Sequence, residues 1–524
     1  MTGLCLPEDD YMVDISGKIK EIRELVDRRS YFTINRARQY GKTTTLAMLE
    51  RELRDDYLVI FISFEGLGDE SFASAATFCA AFMSLIRKAV SLTSAGEEYA
   101  NAWFDGNIAD FLSLSEHITK MCKPGAAGCG KGIVLMIDEV DKVSNNTVFL
   151  HLLSMLREKF LARKRNADFT FHSVILAGVY DIKNVKQKMI SEGLYTPAAT
   201  ENKIYNSPWN IAASFDVDMS FSPSEITTML AEYEADHCTG MDVQTIANEI
   251  HEYTGGYPFL VSRLCQCIDE ELGKDWTKSG VQKSVKIILD ERNTLFDDIY
   301  KNLENNSALH DFLYRLLVTG DGNGFNIYNP VIELGHKYGF LERGERNKAV
   351  VSNRIFEILM CDYFISKDAI SKRRPTGVLQ RDVVNGNRFD MELCLRKFAE
   401  HYAEIFSERN AAFIEREGRL LFLSYLKPLI NGQGFYHIES QLTDLRRMDI
   451  VVDFGSEQFI IELKLWKGET AHEKAYEQLA GYMSSKGFAT GYLLTFDFRK
   501  GADRQPHVKW VDYSGVRIFD VVVS

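Results

Sequence analysis

The segment that most restricts the fold is residues 31–44, YFTINRARQYGKTT. A short β-type run, Tyr31-Phe32-Thr33-Ile34, passes through Gly41-Lys42-Thr43 into a stretch with helical spacing at Leu46, Leu49 and Leu53. A triplet of this kind at a strand-to-helix joint presents backbone N–H groups at a helix N-terminus, where an anion is stabilised. Three further runs, YLVIFISF (57–64), GIVLMIDEVD (132–141) and HSVILAGVYD (172–181), are apolar along their length. Helical stretches at 70–120 and 147–163 separate them. Strands of that type need cover on both faces, so this part of the chain predicts a parallel α/β sheet.

In such a loop Lys42 neutralises β/γ-phosphates and the Thr43 hydroxyl ligates Mg2+. The pattern G-x-x-x-x-G-K-[ST] wants glycine where this chain has Arg36, and a bare GKT also suits a helix cap with an exposed lysine. The strand ending in Asp138-Glu139 supplies the missing half. Asp138 would hold the Mg2+ shell and Glu139 would polarise the attacking water; an acidic strand-end turn is the plainer alternative. With an apolar strand between the two patterns, the order resembles that of ASCE-type P-loop ATPases.

Residues 8–300 are similar to the AAA-ATPase-like group, close to archaeal and STAND-type ATPases. The loop from Arg36 to Thr43 resembles that group's R-x-R-x-x-G-K-[ST], in which the first glycine is usually missing. Tyr11-Met12-Val13-Asp14, Asp138-Glu139-Val140-Asp141, VILAGVYD, SPWN (207–210) and the Gly256-Tyr257-Pro258 turn also match. The resemblance implies ATP and Mg2+ as cofactors. It implies nucleotide contacts from Arg38, Gln39, Tyr40, Gly41, Lys42, Thr43, Thr44, Asp138 and, from a lid, Pro258, with Glu139 catalytic. Taken alone, GGYP is as well explained as an interhelical turn.

From Ser222 the texture becomes helical, opening on a Ser222/Glu225 capping pattern. Residues 300–365 read as helices followed by a β-hairpin-like stretch, as in a small winged helix. SKRRPTG (371–377) reads as a linker. The expected organisation is a P-loop core at 1–215, a helical lid at 216–298, a winged-helix-like region at 299–370 and an α/β domain at 380–524.

That last domain begins with a helical stretch at about 388–428. Strands YHIES, MDIVVDF, QFIIELKLW and TGYLLTFDF follow, with a helix containing EKAYEQLAGYMSSK between the last two. Asp449 starts one strand, and Glu462-Leu463-Lys464 follows on the next. Positions i and i+2 of a strand share a face, so Glu462 and Lys464 project together, and a hairpin would bring Asp449 to them. Two carboxylates bind a divalent ion, and a neighbouring lysine orients or deprotonates water. An ordinary hairpin with alternating surface charge is the alternative.

Residues 385–524 resemble the PD-(D/E)XK nuclease superfamily, a restriction-endonuclease-like fold. In that resemblance Asp449, Glu462 and Lys464 supply the D…ExK set, with Asp449 and Glu462 on the metal. Arg447 matches R-x-D, and Gln478 with Tyr482 matches Q-x-x-x-Y. Glu417 is the choice for the first-helix acid, with Glu415 and Glu439 competing. DNA is the implied partner.

Composition bears on this in one way. The net charge is −13, which argues against a surface coated for nucleic acid. Residues 380–524 carry 19 Lys/Arg and 21 Asp/Glu, so only −2 of that charge falls there. Phosphate contacts would come from a local group, with Arg446, Arg447, Lys464 and Lys467 the candidates. The runs 163–165 and 372–374 read as solvated faces, with DNA contact as the alternative.

Nine scattered cysteines without a CxxC pair give neither a disulfide framework nor a zinc ribbon. The 11 histidines show no ligand spacing; His437 and His472 lie near the carboxylate strands but fit no pattern. Trp466 reads as a packing residue. No leader and no run of about 20 apolar residues is visible, so a cytoplasmic protein without membrane contact is expected, with homo-oligomers as a further expectation.

Two functions compete. One is an ATPase coupled to a metal-dependent DNA nuclease, in defence or mobile-element biology. The other is a signalling or scaffold ATPase whose C-terminal fold only binds nucleic acid or protein.

Overall fold

A computed structural model describes residues 3–93, 108–124, 131–143, 146–178, 209–319, 324–372, 380–386, 388–406, 411–430, 434–440, 448–455, 457–497 and 506–524. The chain divides into two compact units. One comprises Met1–His251, Gly256–Arg263 and Lys337–Gly339; the other comprises Glu252–Gly255, Leu264–His336 and Phe340–Ser524.

In the first unit, strands β1 (Tyr31–Asn35), β2 (Tyr57–Ser63), β3 (Gly132–Asp138) and β4 (Ser173–Gly178) form a parallel sheet in the order β1-β4-β3-β2. All six residues of β4 are buried, as are the last six of β3. Burial on both faces explains why these strands are apolar throughout rather than alternating. One core packs Ile60, Leu135 and Leu176 against Phe78 and Phe82 of α1 (Ala75–Ser91) and Leu153 of α2 (Thr147–Lys164). Each such side chain contributes about 1.5–3 kcal/mol by leaving water. Beside β1, Phe32 forms a parallel bridge to Ala213.

The helix after Ser222, α3 (Pro223–His237), starts as its sequence predicts. Ser222 Oγ accepts from the Glu225 N–H at 3.3 Å, and the Glu225 carboxylate accepts from the Ser222 N–H at 2.8 Å. Lys18 then donates to Glu225 at 2.7 Å and to the Ser220 carbonyl, fixing the start of the helix.

The run 163–165 is not a uniformly solvated face. Arg163 donates to the carbonyls of Phe171, His172 and Arg29, and so pins the end of α2 to the segments around β1 and β4. Lys164 and Arg165 are exposed, as expected.

The second unit contains helix Ser307–Tyr314 and all but the last residue of helix Pro330–Lys337, then the antiparallel pair Leu341–Arg343/Ala349–Val351, then helix Arg354–Lys372. This is the helix and hairpin order expected of a winged helix. Most of the linker SKRRPTG lies outside the described residues.

Beyond it stands a six-stranded sheet of β5 (Gly434–Ser440), β6 (Met448–Phe454), β7 (Glu457–Leu465), β8 (Thr490–Phe496), β9 (His507–Tyr513) and β10 (Val516–Val523). Their order is β9-β10-β8-β7-β6-β5. Strands β5, β6 and β7 form an antiparallel meander, β7, β8 and β10 are parallel, and β9 returns antiparallel on β10. Helix α4 (Glu469–Lys486) crosses from β7 to β8 and packs Leu479 and Met483 on Val451, Ile460, Leu493 and Ile518.

The long helical stretch expected at 388–428 is two helices, Met391–Phe406 and Ala411–Ile430. The β9/β10 hairpin is an addition to the expected strands.

Candidate functional site

The phosphate loop is wrapped around its own lysine. Lys42 is 7% exposed, and its ammonium donates to the carbonyls of Arg36 at 3.1 Å and Ala37 at 2.9 Å. Burial pushes the Lys42 amine below its ordinary pKa, against Asp141, Glu139 and Asp138, which favour its charge. Gly41 caps the following helix, Lys42–Leu53, in the left-handed region with φ +74°, where glycine carries no Cβ penalty. Gln39 also has positive φ, whereas Arg36 does not. Glycine is therefore not required at 36. Instead the Arg36 guanidinium donates to the Val217 carbonyl at 2.7 Å and lies over the Phe215 ring, tying the loop to the next segment.

Opposite the loop, the Thr43 hydroxyl donates to Asp138 Oδ2 at 2.7 Å. Two oxygens that would share a Mg2+ shell thus converge across 95 residues of sequence, and such hard donors suit that ion. Asp138 Oδ1 accepts the Glu139 N–H at 2.9 Å. Glu139 has φ +54°, a strained conformation for a non-glycine residue of the sort that recurs at functional sites. Burial first, then repulsion from Asp138, raises the Glu139 carboxyl above its ordinary pKa. Thr44 accepts the Cys5 N–H at 3.3 Å, and Arg38 and Gln39 are exposed.

The GGYP turn closes on the same loop. Pro258 lies 3.8 Å from the position a Gly41 Cβ would take, the Tyr257 hydroxyl donates to the Arg38 carbonyl, and the Tyr257 and Tyr40 rings meet edge-on at 4.7 Å. Gly256 is required here: at φ +72° its Cβ would stand 2.1 Å from the Phe221 carbonyl oxygen. Interhelical turn and loop neighbour are therefore both true of GGYP.

In the C-terminal sheet, β6 and β7 pair with Ile450 opposite Ile461. The register ends there, so Asp449 and Glu462 are the next residues of their strands at the same end of the hairpin. Glu462 is 2% exposed and forms an ion pair with Lys464. The pair is made through Glu462 Oε1, whereas the buried Oε1 of Gln478 on α4 has no hydrogen-bond partner. A buried carboxylate beside a lysine is a fitting ligand for a divalent cation. Glu417 and Glu415 lie on the helix Ala411–Ile430 and Glu439 on β5, opposite Asp449. Arg446 and Arg447 lie outside the described residues. Trp466 packs its ring 4.8 Å from that of His472.

One cluster on this sheet has no signature in the sequence. Asp520 of β10 accepts at Oδ2 from His507 of β9 at 2.6 Å and from the Tyr476 hydroxyl of α4 at 2.6 Å. The Nε2 of His472, also on α4, lies 3.0 Å from the same oxygen. Burial would raise the Asp520 carboxyl, but hydrogen bonds from His472, His507 and Tyr476 outweigh it and hold it well below the usual range. The three elements are distant in sequence, so no local spacing could have marked the group.

An additional strand between the loop strand and the Asp138 strand, a lysine-filled loop and a Thr–Asp bridge define a P-loop ATPase core. Residues 11–274 match the family described as an AAA-like domain, and the chain belongs to that family. No curated protein matches the chain. Among solved structures, it is similar to a Walker-type ATPase of Pyrococcus abyssi, 12% identical with a TM-score of 0.45, over 69% of this chain and 98% of that one. Cdc6p from Pyrobaculum aerophilum is 12% identical with a TM-score of 0.32, over 69% and 100% of the two chains. The ORC2 protein of Aeropyrum pernix, in ADPNP–ADP complexes, is 11% identical with a TM-score of 0.38, over 67% and 94%. At these values the three likenesses carry no argument. Among the described residues no helix is long and apolar enough to cross a membrane.

Proposed function

We propose that the chain binds and hydrolyses Mg-ATP in its first unit and cleaves DNA with a metal-dependent site on its C-terminal sheet. For the first activity, the supporting observation is the Thr43–Asp138 bridge beside a buried Lys42. Nucleotide phosphates would replace the Arg36 and Ala37 carbonyls as partners of the Lys42 ammonium, while Thr43 and Asp138 would hold Mg2+. Glu139 would accept the proton of the attacking water, and Arg38, Gln39, Tyr40, Gly41 and Thr44 would line the phosphates with Pro258 above them.

For the second activity, the supporting observation is the β6/β7 hairpin, whose last pair, Ile450 opposite Ile461, immediately adjoins Asp449 and Glu462, with Lys464 two residues on. Asp449 and Glu462 would hold the metal, which polarises the scissile phosphate. Lys464 would orient the attacking water, Gln478 would contact the backbone, and Glu417 would complete the acidic set. A role in defence or mobile-element biology follows from this pairing of activities.

The test is nicking of supercoiled DNA by the full chain with Mg2+ or Mn2+, with and without ATP. Wild type nicks and Lys464→Ala does not. Equal rates in the two proteins, or none in either, would leave the scaffold reading, with a sheet that grips without cutting.

A further inference from the structure

The two carboxylate groups on the C-terminal sheet are not one site. Glu462 pairs with Leu493 of β8, and Leu493 pairs with Asp520 of β10. They therefore stand two strand spacings apart, roughly 9–10 Å between backbones, with Leu493 between them. Around Asp520 the chemistry is also different. The Mg2+ candidate is built from carboxylates and a lysine, whereas Asp520 gathers two imidazoles and a phenol. One ligand atom each from His472, His507 and Asp520 lies within 4.8 Å of the others.

We propose that His472, His507 and Asp520 form a binding site for a divalent first-row transition metal, Zn2+ being the natural probe, separate from the Asp449/Glu462 site. Imidazole with carboxylate is the donor set such ions prefer over Mg2+. A tetrahedral ion with ligands at about 2.1 Å holds them about 3.4 Å apart. The Asp520–histidine distances of 2.6 and 3.0 Å need to open by only a few tenths of an ångström to reach that. Asp520 is fully buried, and its Oδ1 has no hydrogen-bond partner, so the carboxylate keeps an acceptor in reserve. The cluster is also reachable, because the His507 side chain is 25% exposed and opens the fourth position to water.

Neighbouring groups prepare the ligands. The Thr495 hydroxyl lies 3.4 Å from His472 Nδ1, on the far side of the ring from Asp520, and so orients the imidazole with Nε2 inward. Tyr476 hydrogen-bonds the carboxylate. The ion would join α4, β9 and β10, and α4 is the helix that carries Gln478.

The experiment uses the full chain stripped by chelator, then titrated with Zn2+ and, for its visible spectrum, Co2+. Wild type takes up one ion per chain at this site and its Tm rises. His507→Ala is the main variant, because its side chain is partly exposed. It binds at least about 100-fold more weakly and shows no zinc-dependent rise in Tm. Glu462→Gln binds Zn2+ as wild type does. An unchanged affinity in a folded His507→Ala protein overturns the proposal, as does loss of binding in Glu462→Gln or a Co2+ spectrum without imidazole ligands. None of these outcomes depends on whether the sheet cuts DNA.

Discussion

The phosphate loop and the C-terminal carboxylate face solve the problem of buried charge in opposite ways. In the loop, the Lys42 ammonium has two carbonyls and Asp138 has both a hydroxyl and an N–H. On the sheet, Glu462 is paired with Lys464, while Asp520 Oδ1 and, on α4, Gln478 Oε1 are buried without a hydrogen-bond partner. Unpaired buried acceptors are costly, and their presence here fits the proposal that this region binds an ion. The buried charges of the loop are already partnered within the first unit.

Substitutions that separate these two cases follow, from the largest effect to the smallest. Glu462→Gln removes a metal ligand but adds a donor. It should abolish nicking, by about 100-fold or more, while the Tm changes little, because loss of the ion pair with Lys464 is offset by removal of a buried charge. A Tm falling in step with activity would mean that Glu462 is structural.

Lys42→Ala should lower ATP turnover by about 100-fold or more. It should also cost about 1–3 kcal/mol in denaturant unfolding, because the Arg36 and Ala37 carbonyls lose their donor. The same change with full stability would show that the loop does not depend on its lysine.

Glu139→Gln should retain nucleotide binding and lose hydrolysis. As the proposed base Glu139 would act when deprotonated, and burial, then Asp138, raises its carboxyl above the ordinary glutamate value. Turnover should therefore fall, as pH drops, at a value above that of an ordinary glutamate. A pH–rate profile with no acid limb above that value contradicts the assignment.

The two regions also differ in what could be read from sequence. Strands β2, β3 and β4 were legible because burial on both faces leaves no polar alternation. The Thr43–Asp138 pairing was legible because each partner sits at a strand end with a fixed neighbour. The Glu462–Lys464 neighbourhood was legible by its two-residue spacing, and the β6/β7 hairpin by its two apolar runs. The β9/β10 hairpin was missed, although Ser514-Gly515, both at positive φ, is the kind of turn that a two-residue hairpin requires. The His472/His507/Asp520 group was not legible, because a parallel crossover and a returning edge strand assemble it from three elements. Arg163 was misjudged because its neighbours are exposed, while its own guanidinium turns back to three carbonyls.

Smaller effects bear on the frame that holds the loop. Gly256→Ala places a Cβ against the Phe221 carbonyl at positive φ and should cost about 1–3 kcal/mol. Ser222→Ala removes one half of a capping pair and should cost about 1 kcal/mol. If both changes leave ATP turnover untouched, the GGYP turn is a support for the fold and not part of the nucleotide site.

The central claim is that the C-terminal sheet was shaped for a catalytic divalent ion. Anomalous scattering from a crystal soaked in Mn2+ tests it most directly. The account predicts a peak shared by the carboxylates of Asp449 and Glu462, within reach of a water held by Lys464. A fully ordered Asp449 side chain turned away from Glu462, with no peak between them, would contradict it.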